Sequence, residues 1–306
     1  RRLGEYDEAR GHYQASLEIR ERAFGPDHPA VAASLTGLAN IRLETGDYPG
    51  ARPLYERCIR IIEKARGATH PDLALYLSNL AMVHRAEGDY AGALPIVQRA
   101  VAIQEKALGP DDPGLSYDLV GLGATLRGLE DYDGSRRALE RVLAIQTKTV
   151  GPEHVEVAET LGEIGSTLAQ GGNHPAAREY LEKAAALFER TLGPGNVYTA
   201  RALDNVAMSA RMMGDHRTAI DLSRKSLATL EAALAPGHPS ITTVLERLGG
   251  HHAAAGDTAA ARELFERGLA IQAEAHGPES DEAQVFVQLL ASINVRPGGA
   301  DRPLGR

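Results

Sequence analysis

The sequence repeats itself at a step of 42 residues, without insertion or deletion along its length. One turn in each repeat has the form Gly/Glu, then a polar residue that is usually acidic, then usually Tyr. Its copies start at Gly4, Gly46, Gly88, Glu130, Gly172, Gly214 and Gly256. A second turn, usually Gly-Pro, starts at Gly25, Gly67, Gly109, Gly151, Gly193, Ala235 and Gly277. A fixed period of this size is typical of solenoids, and two turns per period predict two helices per repeat.

The segments between the turns have helical spacing. Leu35, Leu38 and Ala39 lie at positions i, i+3 and i+4, which places them on one face of a helix, and the pattern returns in later repeats. Glycines such as Gly67 stand where the second helix must stop, which suits a left-handed C′ residue. We therefore predict fourteen helices in antiparallel pairs and no β-strand, an all-α solenoid.

We expect one continuous solenoid over residues 1–295. Residues 1–24 are predicted to be the second helix of a repeat whose first helix is absent, which indicates a longer array or protein. The predicted complete repeats begin at about residues 28, 70, 112, 154, 196 and 238, with a last helix over 279–295. The Pro/Gly-rich residues 296–306 are predicted to be a disordered tail.

Composition argues against several classes of protein. The net charge of −8 is opposite to the basic surface that nucleic-acid binding needs. No apolar stretch has the length of a membrane span, and no signal peptide is visible. The single cysteine provides no internal disulfide framework, so we expect a reducing, cytoplasmic setting. The predicted partners are neither nucleic acid nor membrane.

No catalytic motif is present. The sequence has no Gly-Lys dipeptide for a phosphate loop, and it lacks H-E-x-x-H, G-x-S-x-G and C-x-x-C. Cys58 occupies a position that holds small packing residues in the other repeats, which favours a core role. The histidines of the second turn are predicted to be turn and N-cap residues: His28, His70, His154 and His238. We predict no catalytic, cofactor-binding or metal-binding residue and no cofactor.

The repeated residues resemble those of a known family. Leu35–Ala39 and Leu77–Ala81, followed by the Gly-Asp-Tyr turns, are similar to the tetratricopeptide repeat (TPR). The 42-residue step and the Gly25–Pro29 linker are similar to the repeats of kinesin light chains. The resemblance implies a right-handed superhelix in which the first helices of successive repeats line a concave groove. The Ala-, Gly- and Arg-rich composition resembles that of proteins from high-GC bacteria.

The groove positions implied by this resemblance vary strongly between repeats, while the packing positions are uniform. Such variation suits a binding surface, and drift on a solvated face is the alternative. The candidate peptide-groove residues are Asn40, Asn79, Met82, Arg85, Tyr117, Arg127, Arg201, Asn205 and Arg211. In the kinesin light chain family, an asparagine at one groove position binds the backbone of an extended peptide. Only Asn79 and Asn205 match that position here.

The predicted function is a non-catalytic protein–protein interaction module that binds a peptide or a partner helix. Arg85, Arg127 and Arg211 share one groove position, and arginine binds carboxylates with defined geometry. We therefore expect a ligand with acidic residues or a C-terminal carboxylate. The module is interpreted as the scaffold or sensor arm of a larger bacterial protein. Two alternatives remain: self-assembly through the edge or convex face, and a regulatory segment of an attached kinase, ATPase or caspase-like protease.

Overall fold

The computed structural model describes residues 2–294, which form fourteen α-helices and no strand. This confirms the predicted helix count and fold class. The helices are α1 Arg2–Phe24, α2 Pro29–Glu44, α3 Tyr48–Arg66, α4 Asp72–Ala86, α5 Tyr90–Leu108, α6 Leu115–Gly128, α7 Tyr132–Thr149, α8 Val155–Gln170, α9 His174–Leu192, α10 Val197–Met212, α11 His216–Ala233, α12 Pro239–Ala254, α13 Thr258–His276 and α14 Asp281–Asn294. The predicted tail, 296–306, lies outside the described residues.

The chain forms two compact units. Unit 1 spans Arg1–Pro152 and contains α1 to α7, and unit 2 spans Glu153–Arg306 and contains α8 to α14. Within each unit every helix packs against the next one in sequence. The first helices of consecutive repeats also touch, as α4 touches α6 in unit 1 and α10 touches α8 and α12 in unit 2. These contacts place α4 beside α6 in unit 1, and α10 between α8 and α12 in unit 2.

The short turn after each first helix combines a stop and a start. In the first complete repeat, Gly46 donates its N–H to Leu43 at 3.1 Å, and Asp47 donates to Arg42 at 2.7 Å. This is the Schellman pattern, and Gly46 has the positive φ of 79° that it requires. The carboxylate of Asp47 then accepts the N–H of Gly50 at 3.0 Å and so caps the next helix.

One repeat makes this turn without glycine. Glu130 replaces the glycine and has a φ of 61°, which is costly for a residue with a Cβ atom. We expect Glu130→Gly to raise the free energy of unfolding by about 0.5–1 kcal/mol, because relief of strain exceeds the entropic cost of glycine. Urea denaturation measures the change. The control is Glu179→Gly, at an exposed position inside a helix, which should lower stability because glycine is unfavourable there. A loss of stability in both variants would contradict this explanation.

The longer turn after each second helix also depends on glycine. Gly67 has a φ of 92° and a ψ of 159°. The positive φ agrees with the predicted left-handed conformation, but the ψ is extended and not helical. This region of backbone space is open essentially to glycine alone. The N-cap prediction is confirmed for His28, His154 and His238, each of which accepts on Nδ1 the N–H of the residue two positions later, at 3.1–3.3 Å. His70 is a turn residue: its Nδ1 accepts the N–H of Asp72 at 3.2 Å, but the N-cap of α4 is Pro71.

The core follows the predicted apolar positions. Leu35, Leu119 and Leu245 are fully buried. Small residues on first helices face large ones on second helices: a Cβ atom at Gly249 would lie 2.4 Å from the ring of Phe265. Close approach of the two helices therefore requires the small residue.

Cys58 belongs to this core. It is fully buried, and its thiol donates to the carbonyl of Ala32 at 3.4 Å. Burial raises the pKa of the Cys58 thiol to about 11, so the reactive thiolate is not formed near neutral pH. The structure thus confirms the packing role predicted from the sequence.

The second helices of unit 1 carry a regular series of ion pairs. Each pair joins a glutamate to an arginine 36 residues later on the next second helix. The pairs are Glu21–Arg57 at 2.6 Å, Glu63–Arg99 at 2.6 Å and Glu105–Arg141 at 2.9 Å. Exposed pairs of this kind add little stability, but they neutralise these three arginines.

Candidate functional site

A small cavity opens where α4, α5 and α6 of unit 1 meet. Its volume is about 120 Å³, and its lining includes Val97, Val120 and Ala124 on the apolar side. We call it the Asp118 pocket, defined by Ser78, Met82, Arg85, Tyr117, Asp118 and Gly121. Three residues predicted from the sequence, Met82, Arg85 and Tyr117, are brought together here.

Arg85 is half-buried at one side of the pocket. Its Nη1 donates to the carbonyl of Gly121 at 3.4 Å, and a Cβ atom at position 121 would lie 3.4 Å from the same nitrogen. Burial lowers the pKa of the Arg85 guanidinium, which the nearby Tyr117 and Tyr90 oppose. Among the described residues no carboxylate pairs with Arg85. By contrast, Arg57, Arg99 and Arg141 on the second helices each pair with a glutamate.

Tyr117 and Met82 provide the accessible apolar surface beside Arg85. Tyr117 is 56% exposed although it is a large aromatic residue, and Met82 is half-buried. Partly solvent-exposed aromatic rings are common in protein–protein interfaces, because they offer a large apolar area and lose little conformational entropy on binding. This surface can accept an apolar group of a ligand next to the guanidinium.

Asp118 is the acidic group of the pocket, and sequence reasoning missed it. It is 3% exposed, and Ser78 Oγ donates to its Oδ1 at 2.5 Å. Its Oδ2 is buried without a hydrogen-bond partner in the part of the chain that the structure describes. Burial raises the pKa of the Asp118 carboxyl, and the Ser78 hydrogen bond opposes this. The sequence does show that this position is acidic in one repeat alone. The equivalent positions of the other repeats hold Ser34, Tyr76, Thr160, Ala202 and Val244.

The other candidates of unit 1 lie elsewhere. Asn40 is exposed, and its Oδ1 accepts the hydroxyl of Tyr55 at 2.5 Å. Asn79 is 8% exposed, so its amide is largely covered. Arg127 is half-buried near the end of α6. None of these three side chains lines the Asp118 pocket.

Unit 2 has a separate cavity of about 280 Å³, which Arg201 and Asn205 line together with Asp204 and Arg247. Arg211 does not line it; its Nη2 lies 3.7 Å from the sulfur of Met212. The arrangement therefore brings together two of the three candidates on α10.

The buried acid of this second cavity is fully partnered. Asp204 is 2% exposed, and its carboxylate accepts Ser223 Oγ at 2.8 Å and Arg247 Nη1 at 2.6 Å. Burial raises the pKa of the Asp204 carboxyl, and the Arg247 charge opposes that rise. Here the protein supplies its own cation to the buried carboxylate.

The described residues offer neither a metal-binding cluster nor a helix suited to a membrane. No group of three or more His, Cys, Asp or Glu side chains within residues 2–294 is placed to hold a metal ion. None of the helices described above is both long and apolar enough to cross a membrane.

Comparison with solved structures supports the architecture. A Podosopora anserina protein described as a kinesin light chain, with nearly identical TPR-like repeats, is 26% identical with a TM-score of 0.60; the match covers 68% of this chain and 98% of that one. The type IV pilus biogenesis factor PilW is 20% identical with a TM-score of 0.58, over 84% of this chain and 98% of PilW, which shows likeness of fold alone. None of the curated proteins compared by sequence matches the chain.

Family models match nearly all of the repeats. One tetratricopeptide repeat model matches residues 1–64, 35–106, 72–148, 118–190 and 156–232, and a second one matches residues 212–276. These matches agree with the helix pairs, the capped turns and the small-to-large packing described above. The chain therefore belongs to the tetratricopeptide repeat family.

Proposed function

We propose that unit 1 binds a peptide segment of a partner protein on the face formed by α4 and α6. Tetratricopeptide repeats generally mediate protein–protein interaction or scaffolding, and they are generally non-catalytic. The observation that carries the proposal is Arg85: a half-buried guanidinium beside the exposed ring of Tyr117, with no carboxylate partner among residues 2–294. The proposed setting is a bacterial protein in a reducing, cytoplasmic compartment.

The ligand chemistry follows from the two kinds of arginine in unit 1. Arg57, Arg99 and Arg141 already bind glutamates of neighbouring second helices. Arg85 uses one N–H group on the Gly121 carbonyl, and no carboxylate in the described part of the chain engages its other donors. A guanidinium matches a carboxylate in shape as well as in charge. An Asp or Glu side chain, or a C-terminal carboxylate, is therefore the proposed ligand group.

The experiment is a selection of short random peptides against the full chain, with one library amidated at the C-terminus and one left free. We expect wild-type protein to enrich acidic residues in the amidated library, or a free C-terminus if that is the ligand group. Arg85→Glu should weaken binding of an enriched peptide by about tenfold or more, the size expected for loss of a charge-assisted hydrogen bond. Added salt should also weaken wild-type binding.

The matched control is Arg60→Glu, which makes the same charge change at an exposed arginine of α3. Circular dichroism and the melting temperature establish that both variants remain folded. Equal affinity of wild type and Arg85→Glu would overturn the proposal, as would an equal loss in the control.

A further inference from the structure

Asp118 and Asp204 are both buried on first helices, and they differ in the hydrogen-bond partners of their carboxylates. In unit 2, Asp204 receives a serine hydroxyl at 2.8 Å and the Arg247 guanidinium at 2.6 Å. In unit 1, Asp118 receives only the Ser78 hydroxyl, and its Oδ2 has no partner in the described part of the chain. A buried carboxylate therefore has a positively charged partner in unit 2, whereas the one in unit 1 has none among the described residues.

The residue that carries this acceptor forms part of the cavity wall. Asp118 is 3% exposed and is one of the residues that line the pocket of about 120 Å³. A buried acceptor without a partner is unfavourable, and a buried carboxylate without a positive partner is more so. A group that enters the pocket with N–H donors removes this penalty, so the site favours a donor over an apolar group.

The charge pattern of the pocket narrows the choice of ligand. Arg85 and Asp118 both line it, yet they form neither a hydrogen bond nor an ion pair with each other. A ligand with charges of one sign would therefore meet a like charge in the same pocket. A segment that carries both signs complements both groups, and juxtaposed like charges are a strong source of discrimination.

We propose that Asp118 binds the ammonium or guanidinium group of a lysine or arginine in the same peptide whose carboxylate binds Arg85. This inference rests on the proposed function and specifies its ligand as a mixed-charge segment. The raised pKa of the Asp118 carboxyl agrees with a site that lacks its cation, because a bound positive charge favours the ionised form.

The test uses the same random peptide libraries with the full chain, comparing wild type, Asp118→Asn and Asp118→Thr. The asparagine variant preserves the shape of the side chain, and threonine is the residue that the next repeat has at this position, Thr160. We expect wild type to select a basic residue at a fixed separation from an acidic one. Both Asp118 variants should lose the basic preference by about tenfold and keep the acidic one.

The control for the loss of a carboxylate is Asp133→Asn, at an exposed position on a second helix of unit 1, which should keep both preferences. Selection of acidic residues by wild type without any basic preference would overturn this inference and leave the proposed function standing. Retention of the basic preference by both Asp118 variants would also overturn it. Failure of wild type to select any peptide would overturn both proposals.

Discussion

Leu80→Ala is expected to lower the free energy of unfolding by about 2–5 kcal/mol, the range for removing a buried leucine from a core that cannot fully collapse. Leu80 is 6% exposed and belongs to a buried cluster that includes Leu35, Tyr55 and Leu77. The cluster draws on successive helices of unit 1, so the lost methyl groups leave a cavity between elements that hold each other in place. Urea denaturation at neutral pH measures the loss.

The same helix provides a matched control. Leu75 is 55% exposed on α4, so Leu75→Ala removes the same atoms without opening a cavity and should change stability by about 0.5 kcal/mol or less. In a solenoid each repeat is stabilised mainly by its neighbours. Hydrogen exchange in Leu80→Ala should therefore accelerate first in α3, α4 and α5. An even loss of protection from α1 to α7 would contradict this local coupling.

The helix pairs could be predicted because their determinants are local in sequence. A glycine with positive φ, an Asp that caps the next helix and an i, i+3, i+4 apolar stripe each act within a few residues, as at Gly46, Asp47 and Leu35. The role of Cys58 was also predictable, because small residues occupy its position in every other repeat.

The site was only partly predictable, because its chemistry depends on groups far apart in sequence. Met82, Arg85 and Tyr117 were predicted from their positions on first helices, and the structure places them around one pocket. Asp118 was missed because its importance lies in a missing partner, which no sequence position reveals. Arg247 reaches Asp204 from 43 residues away, and only the packed helices show which arginines are already paired.

Acid is expected to destabilise unit 2 through His251. This residue of α12 is fully buried, and both of its ring nitrogens are without a hydrogen-bond partner among the described residues. Burial, with smaller effects of Arg211 and Arg247, lowers the pKa of His251 to about 4. In the unfolded chain a histidine has its ordinary pKa of about 6.5. Between these two values the unfolded chain binds a proton that the folded chain does not.

The sign of the effect follows from that difference. The stability associated with neutral His251 is complete above pH 6.5 and falls as pH decreases, by about 3 kcal/mol at pH 4. His251→Val should remove this dependence, because valine carries no titratable group. The position accepts an aliphatic residue in the first two complete repeats, as Ile41 and Val83, while the later repeats have Thr125, Thr167 and Ser209. The valine variant should also be more stable at neutral pH, because two buried polar atoms without partners are replaced by apolar ones.

The measurement is the difference in unfolding free energy between His251→Val and wild type, from denaturant titrations between pH 7 and about pH 4. Acid also protonates carboxylates, but those contributions are shared by the two proteins and cancel in the difference. His276→Val, which makes the same replacement at an exposed position of α13, is the control. If the difference in unfolding free energy between His251→Val and wild type stays constant with pH, His251 is hydrated or hydrogen-bonded in solution. The interpretation of His251 as a buried, neutral ring would then be wrong.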